Sequence, residues 1–347
     1  TMAERSKYQQ NIIKNYYENF DTLQLQRLGE QVTELYLAEG KARTVAMVQA
    51  IEKAFGDNLK TLAWMDDGTK QKANEKLGAI NNKIGFPEKW RDYTGLKQGR
   101  ESYVANQLQA RSFLVKFDLN KIGKPVDRQE WIMTPPTVNA YYEASLNEMV
   151  FPAGILQPPF FRLDAAENVN YGGIGMVMGH ELTHGFDDQG RKFDAKGNLK
   201  DWWSKKDAKA FEQRAACVVK QYGQYTVVDD IKINSKLTLG EDVADLGGLI
   251  LGWMAWQNEM ASMPQKAQPG LRDGLTPEQR FFVGFAQWDC SQVRPEYARV
   301  HALTDPHSPG RYRINGVAVN MPEFEKAFNC KPGQKMVKPD AERCKVW

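Results

Sequence analysis

The sequence predicts an α+β fold that is mostly helical, with a short sheet in the middle of the chain. Three observations favour this class. Apolar residues recur at helical spacing in the first 90 residues, a segment near residue 140 has the pattern of a β-hairpin, and two long apolar helical segments follow. At 347 residues, the chain is long enough for two domains and for a sizeable core.

The amino-terminal region is predicted to be helical. Its apolar residues recur on either side of a break near Gly40, and a third helix is expected from Asp66 to Ile80. They are Leu25, Leu28, Val32 and Leu35 before the break, and Val48, Ile51, Phe55 and Leu59 after it. Residues 85–99 have the Gly, Pro and aromatic content of a connection. We therefore expect a helical region at residues 1–92 and a second domain at residues 93–347.

The predicted hairpin occupies residues 137–150. Val138, Tyr141 and Tyr142 form its first half, a turn follows at residues 145–147, and Met149 and Val150 lie in the second half. The proline-bearing run FPAGILQPPFF at residues 151–161 ends it. Residues 172–186 and 239–260 are then predicted as two apolar, buried helices.

Composition excludes several classes of function. A net charge of +3 gives no reason to expect nucleic acid or an anionic membrane as a partner. The longest nearly uncharged apolar run, residues 246–256, is too short to cross a bilayer. No two of the four cysteines are close enough for a CxxC metal or redox motif.

The strongest chemical signal is the HExxH arrangement of residues 180–184. Residues four apart share one face of a helix, so the imidazoles of His180 and His184 can reach one ion. A catalytic zinc site needs three protein ligands and leaves one position to water, and Glu181 is placed to reach that water. The alternative, two histidines satisfied on a buried helix without a metal, is costly.

A third ligand has to come from elsewhere, and GEDVADLGG at residues 240–248 is the candidate. Glu241 and Asp245 are four apart, so Glu241 can bind the ion while Asp245 accepts the second N–H of a ligating histidine. The spacing alone is equally compatible with a solvated acidic first turn that complements the helix dipole.

Together these motifs resemble the neprilysin and endothelin-converting-enzyme family of zinc peptidases. The resemblance is patchy before residue 60 and nearly continuous from residue 130 to the end. It is carried by WMDDGTKQKANEKL, KIGFPEKW, VNAYY at residues 138–142, FPAGILQPPFF, NYGGIGMVMGHELTHGFDDQGRKFD at residues 170–194, GEDVADLGG, RPEY at residues 294–297, HSPG at residues 307–310 with Arg313, and the terminal CKVW.

The resemblance implies a thermolysin-like zincin catalytic domain preceded by part of a helical lobe, and one zinc ion per chain. It implies His180, His184 and Glu241 as zinc ligands and Glu181 as the general base. It also implies further roles, each of which could be plain core or surface without it. Asp187 and Asp245 would orient the histidines, His307 would stabilise the oxyanion, and Arg313 would hold a substrate carbonyl. Asn139 and Ala140 would lie on an edge strand that pairs with the peptide backbone. An apolar pocket would be lined by Ile155, Phe160, Met176 and Val177.

Two departures from the family pattern concern the pocket and the third ligand. The family usually has an aromatic residue directly before the cysteine at position 290, whereas here Trp288 is one place earlier and Asp289 fills that position. The shape or polarity of the pocket is therefore open. Asp242 and Leu246 replace the more usual asparagines near Glu241, changes that we expect to be tolerated.

The implied function is that of an endopeptidase cutting on the amino side of hydrophobic residues. Glu181 would take a proton from the attacking water and return it to the leaving amine, and His307 would stabilise the oxyanion. Two rivals remain at this point: a thermolysin-like zincin of another family, and a zinc-binding peptide-recognition module without turnover. A purely structural zinc site would need a fourth protein ligand, and no cysteine is near the HExxH motif.

The resemblance also implies a longer protein in an oxidising compartment. Family members are much longer, so we expect an amino-terminal half, absent from this chain, as a partner, and an extracytoplasmic location. Cys217 would pair with Cys344. Cys290 and Cys330 would pair with cysteines of the absent half and are expected here to be free or bonded to each other.

Overall fold

The computed structural model describes residues 22–264 and 270–347, with the side chains described from residue 40 onward. The described part is mostly helical with few strands, which confirms the predicted α+β class. The helices are α1 (Thr22–Thr61), α2 (Asp67–Gly78), α3 (Tyr103–Leu119), α4 (Glu167–Asn170), α5 (Met176–His184), α6 (Lys205–Tyr222), α7 (Leu239–Ser262), α8 (Pro277–Gln287), α9 (Pro295–Thr304), α10 (Gly310–Ala318) and α11 (Pro322–Ala327). The strands are β1 (Asn81–Gly85), β2 (Tyr141–Glu143), β3 (Glu148–Pro152), β4 (Thr226–Val228) and β5 (Ile231–Lys232).

The chain forms two compact units. One comprises the described part of residues 1–39 with Phe86–Pro135, and the other comprises Gly40–Gly85 with Pro136–Trp347. The second unit contains the whole HExxH segment and all the other residues predicted for the site. The sequence predicted a division at residue 92 instead, and that division stays a prediction.

The expected break near Gly40 is wrong, because α1 continues through it. Gly40 is buried, and a β-carbon there would lie at an ordinary contact distance of 3.5 Å from the Phe161 ring. The side chains of the apolar residues before Gly40 are outside the described part of the structure. The predicted third helix is confirmed as α2, where the Asp66 side chain caps the helix by accepting a hydrogen bond from the Thr69 N–H.

The central sheet has the strand order β1-β3-β2. The predicted hairpin is confirmed: β2 runs antiparallel to β3, with Tyr141 opposite Val150. The helical prediction for residues 81–85 is wrong, because this segment is β1 and pairs in parallel with β3. Asn139 and Ala140 lie just before the edge strand β2 and not within it, which corrects their expected place.

The two predicted apolar helices form the centre of the second unit. The first begins as a π-helical turn at Tyr171–Gly175 and continues as α5, and the second is α7. They approach closely where small residues face each other: a β-carbon on Gly179 would lie 2.7 Å from the Gly248 carbonyl oxygen. Among the described residues, every helix is too short or too polar to cross a bilayer.

Candidate metal centre

Helix α5 brings its two histidines together on one face. His180 Nε2 and His184 Nε2 lie 2.9 Å apart, and the ring centroids are 4.5 Å apart. A carboxylate oxygen of Glu181 and a nitrogen from each ring all lie within 4.8 Å of one another, close enough to hold a metal ion. His180 and Glu181 are buried, at 6% and 5% exposure, whereas His184 is partly exposed.

Helix α7 contributes Glu241 to the same point. Its Oε2 atom lies 3.2 Å from His180 Nε2 and 3.6 Å from His184 Nε2. This oxygen is buried, and it makes no hydrogen bond of good geometry to any described residue. Buried polar atoms are almost always paired, so an unpaired oxygen facing two ring nitrogens fits a set of donors to a cation. Two imidazoles and a carboxylate are also the donor types that zinc prefers.

The outer nitrogen of each ring faces a buried carboxylate. His184 Nδ1 is 2.7 Å from Asp187 Oδ2, and His180 Nδ1 is 2.8 Å from Asp245 Oδ1. Asp245 also accepts two hydrogen bonds from Arg313, at 2.7 Å from Nε and 2.6 Å from an Nη. Carboxylates in these positions fix the tautomer and the ring orientation of a metal-binding histidine.

The electrostatic environment differs between the two glutamates. Burial raises the pKa of Glu181, which favours a carboxylate that accepts a proton near neutral pH. Burial opposes ionisation of Glu241 as well, but the adjacent His180 and His184 outweigh it and lower the pKa of that carboxyl. The ionised carboxylate is the form in which a glutamate binds a cation.

The metal-binding group opens into a cavity of about 580 Å³. All of the predicted substrate-binding residues contribute to its wall, together with Trp288 and Asp289. Those predicted residues are Asn139, Ala140, Ile155, Phe160, Met176, Val177 and Arg313. His307 lines it too, with its Nε2 atom 3.3 Å from Glu241 Oε2.

Asp305, which holds His307, was not predicted from the sequence. Its Oδ1 atom accepts the His307 backbone N–H at 2.9 Å and lies 2.8 Å from His307 Nδ1. Asp305 is followed by Pro306 and lies two residues before His307. An Asp at this spacing often binds the backbone N–H two residues on, so the pattern could have indicated the contact.

Outside the site, the structure contains the disulfide between Cys217 and Cys344, with Cα atoms 5.5 Å apart. Cys290 is free and exposed, and Cys330 is free and partly buried. Both outcomes agree with the pairing that the resemblance implied.

Comparison with known proteins gives consistent matches. Residues 139–344 match one sequence model of Peptidase family M13, and residues 9–87 match its amino-terminal model. Endothelin-converting enzyme 1 of Homo sapiens is 41% identical over 327 residues, which are 91% of this chain and 41% of that protein. Neprilysin-3 of Drosophila melanogaster is 40% identical over 325 residues, which are also 91% of this chain and 41% of that protein. The chain thus spans less than half the length of these relatives.

Solved structures agree. The crystal structure of Mycobacterium tuberculosis zinc metalloprotease Zmp1 in complex with an inhibitor superposes with a TM-score of 0.86 at 40% identity, covering 91% of this chain and 49% of that one. PepO from Lactobacillus rhamnosis gives a TM-score of 0.81 at 31% identity, with coverages of 92% and 49%. These matches exclude a zincin of another family, and the chain belongs to Peptidase family M13.

Proposed function

We propose that this chain carries the catalytic site of a zinc-dependent endopeptidase that hydrolyses peptides. The observation that supports this most is the convergence of His180 Nε2, His184 Nε2 and the unpaired Glu241 Oε2 beside the buried Glu181, on the wall of a cavity. Membership of the M13 family, whose relatives include the zinc metalloprotease named above, supports the same chemistry.

One zinc ion per chain would be held by His180, His184 and Glu241. Glu241 is preferred to Glu181 as the third ligand because its oxygen comes from a second helix and lies within 3.6 Å of both ring nitrogens. Glu181 is then left to exchange protons. Asp187 and Asp245 would hold the two rings in their ligating orientation.

The chain's own groups have distinct tasks in the reaction. The zinc would supply Lewis acidity toward the attacking water and the peptide carbonyl. Glu181 accepts the proton of the water and later gives it to the leaving amine. His307 donates from Nε2 to the developing oxyanion, and Asp305, 2.8 Å from Nδ1, holds the ring in place. Arg313, held by Asp245, donates to a substrate carbonyl.

Substrate recognition would use the rest of the cavity. Asn139 and Ala140 lie next to the edge strand β2, where an extended peptide can add to the sheet by backbone hydrogen bonds. The apolar side chains that line the cavity favour a hydrophobic residue after the scissile bond. They are Ile155, Phe160, Met176, Val177 and Trp288.

We also propose an extracytoplasmic location. The Cys217–Cys344 disulfide supports it, because such bonds form and persist in oxidising compartments.

The test is hydrolysis of short peptides before and after treatment with a zinc chelator. We expect cleavage on the amino side of hydrophobic residues, loss of cleavage in the chelator, and recovery when zinc is returned. Mass spectrometry of the products locates the cut. Zinc binding without any cleavage would contradict the proposal and favour a recognition module instead.

A further inference from the structure

Lys76 is a buried lysine that the proposed mechanism does not use. It lies in the last turn of α2 and has 0% exposure, with its Nζ atom 5.8 Å from the Tyr142 ring centre and 5.4 Å from that of Phe186. An amine so far from water is costly unless it is paired. Burial lowers the pKa of Lys76 to about 7, and the carboxylates of Asp187 and Asp194 oppose that shift.

Three backbone carbonyl groups surround this amine. Lys76 Nζ donates to the oxygens of Gly185 at 2.6 Å, Gly190 at 2.7 Å and Phe193 at 2.8 Å. A protonated lysine has three N–H donors, so each donor has one acceptor. All three acceptors belong to the loop 185–193, which begins directly after His184.

Two N–H groups of the same loop are bound by Asp187, which is itself a residue of the loop. Asp187 Oδ1 accepts hydrogen bonds from the N–H groups of Gln189 at 2.8 Å and Gly190 at 2.7 Å. Asp187 Oδ2 is the atom that contacts His184 Nδ1. Lys76 therefore binds carbonyl groups of the loop from outside, while Asp187 binds two of the loop's own N–H groups and contacts His184.

The loop also packs directly against the backbone of the histidine. A β-carbon on Gly190 would lie 1.7 Å from the His184 carbonyl oxygen, so only glycine fits there. Because the contact is this close, a shift of the loop moves Asp187 or His184. The position of Lys76 and the orientation of the His184 ring are therefore linked by an unbroken series of contacts.

We propose that Lys76 is a positioning residue of the metal centre. By binding three carbonyls it fixes loop 185–193, and the loop fixes Asp187 against His184. This inference rests on the proposed zinc site, and it adds a residue from a separate helix to the groups on which that site depends.

The first experiment measures the zinc affinity of the folded chain by competition with a chromophoric chelator. Lys76→Met keeps the length of the side chain and removes every donor. Loss of an outer partner of a metal-binding histidine typically weakens metal binding about 10- to 100-fold, and we expect a loss in that range.

A second buried lysine gives the matched control. Lys83 in β1 pairs with Glu148 in β3 at 2.8 Å and is also buried, so its ion pair joins two strands of the central sheet. Lys83→Met is expected to lower the thermal stability and to bind zinc as tightly as the wild type. Equal weakening of zinc binding in both variants would indicate general destabilisation and overturn the proposal.

A double-mutant cycle with Asp187→Ala tests the route of the effect. If Lys76 acts through Asp187, the double variant binds zinc no more weakly than Asp187→Ala alone. Additive losses would show that Lys76 acts by another route and would overturn the proposal. If Lys76→Met does not fold, Lys76→Gln, which keeps two N–H donors, replaces it and is expected to show a smaller loss.

The outcomes also separate this inference from the proposed function. A wild-type chain that binds zinc and cleaves peptides, together with a Lys76→Met variant of unchanged zinc affinity, would refute only the role of Lys76. A wild-type chain that binds no zinc would refute the metal site itself, and the role of Lys76 with it.

Discussion

At the scale of single residues, the two sides of the His307 ring have different surroundings. Asp305 binds both its backbone N–H and its Nδ1 atom, while Nε2 faces the cavity near Glu241. The side chain is 42% exposed, so water does not have to be expelled from a closed pocket for a substrate to reach it. This placement suits a donor that acts only when charge develops on the substrate.

His307→Ala is therefore expected to lower kcat by about 10²- to 10³-fold with little change in KM, because an oxyanion donor acts mainly in the transition state. Steady-state kinetics on one peptide measures both constants. The control is His301→Ala, since His301 contacts Asp305 at 3.6 Å but is not among the residues that line the cavity. An effect of His307→Ala confined to KM would refute the role.

The sequence was most informative where a residue's role depends on a short spacing. His180, Glu181 and His184 could be predicted from the turn of one helix. Glu241 needed the family resemblance, because its closeness to the histidines results from the crossing of two helices. Lys76 could not be predicted, since its three acceptors are backbone carbonyls more than 100 positions away, and backbone groups leave no signature in a sequence.

At the scale of elements, the metal centre depends on the close approach of α5 and α7. A β-carbon on Gly248 would lie 2.5 Å from the Met176 carbonyl oxygen and 2.7 Å from the backbone nitrogen of His180. Glycine here lets two backbones approach without a side chain between them. That short distance allows Glu241 on one helix to reach the imidazoles on the other.

Gly248→Ala is expected to lower the free energy of unfolding by about 1–3 kcal/mol, the usual cost of overpacking a core, and to weaken zinc binding. Chemical denaturation and chelator competition measure the two effects. Gly78→Ala is the control, because a β-carbon there meets nothing within 4 Å. It is expected to leave the stability unchanged or raise it by up to about 1 kcal/mol. A Gly248→Ala variant as stable as the control would contradict the close packing.

Elements were predicted well where apolar residues recur at helical spacing over a long, uninterrupted segment, as in α7. Short elements were missed where tertiary pairing decides the structure. Residues 81–85 (NNKIG) have little apolar character, yet they form β1 because β3, whose five residues are all buried, pairs with them. Gly40 suggested a break, but a single glycine within a helix costs only about 1 kcal/mol relative to alanine, and α1 continues through it.

At the scale of the whole chain, the carboxyl terminus is tied into the unit that contains the site. The Cys217–Cys344 bond joins residues 127 positions apart and precedes Trp347, which is 8% exposed. The Trp347 ring packs among aromatic rings, with centroid distances of 5.7 Å to Phe55 and 5.7 Å to Phe211. The disulfide therefore holds a buried aromatic anchor.

Replacing both Cys217 and Cys344 by alanine is expected to lower the free energy of unfolding by about 2–5 kcal/mol, because the bond closes a long loop in the unfolded chain. Thermal and denaturant unfolding measure it. The matched control replaces Cys290 and Cys330, which are free, and is expected to leave the stability unchanged. Equal losses in the two double variants would show that the bond does not carry the effect.

The central claim is that Glu181 moves protons while His180, His184 and Glu241 hold the zinc. The most direct measurement determines zinc content and peptide hydrolysis on the same samples of the wild type and of Glu181→Gln. Gln keeps the shape of the side chain but cannot accept a proton, so we predict unchanged zinc content and hydrolysis reduced to background. A Glu181→Gln variant that loses its zinc, or that hydrolyses peptides at nearly the wild-type rate, would contradict the account.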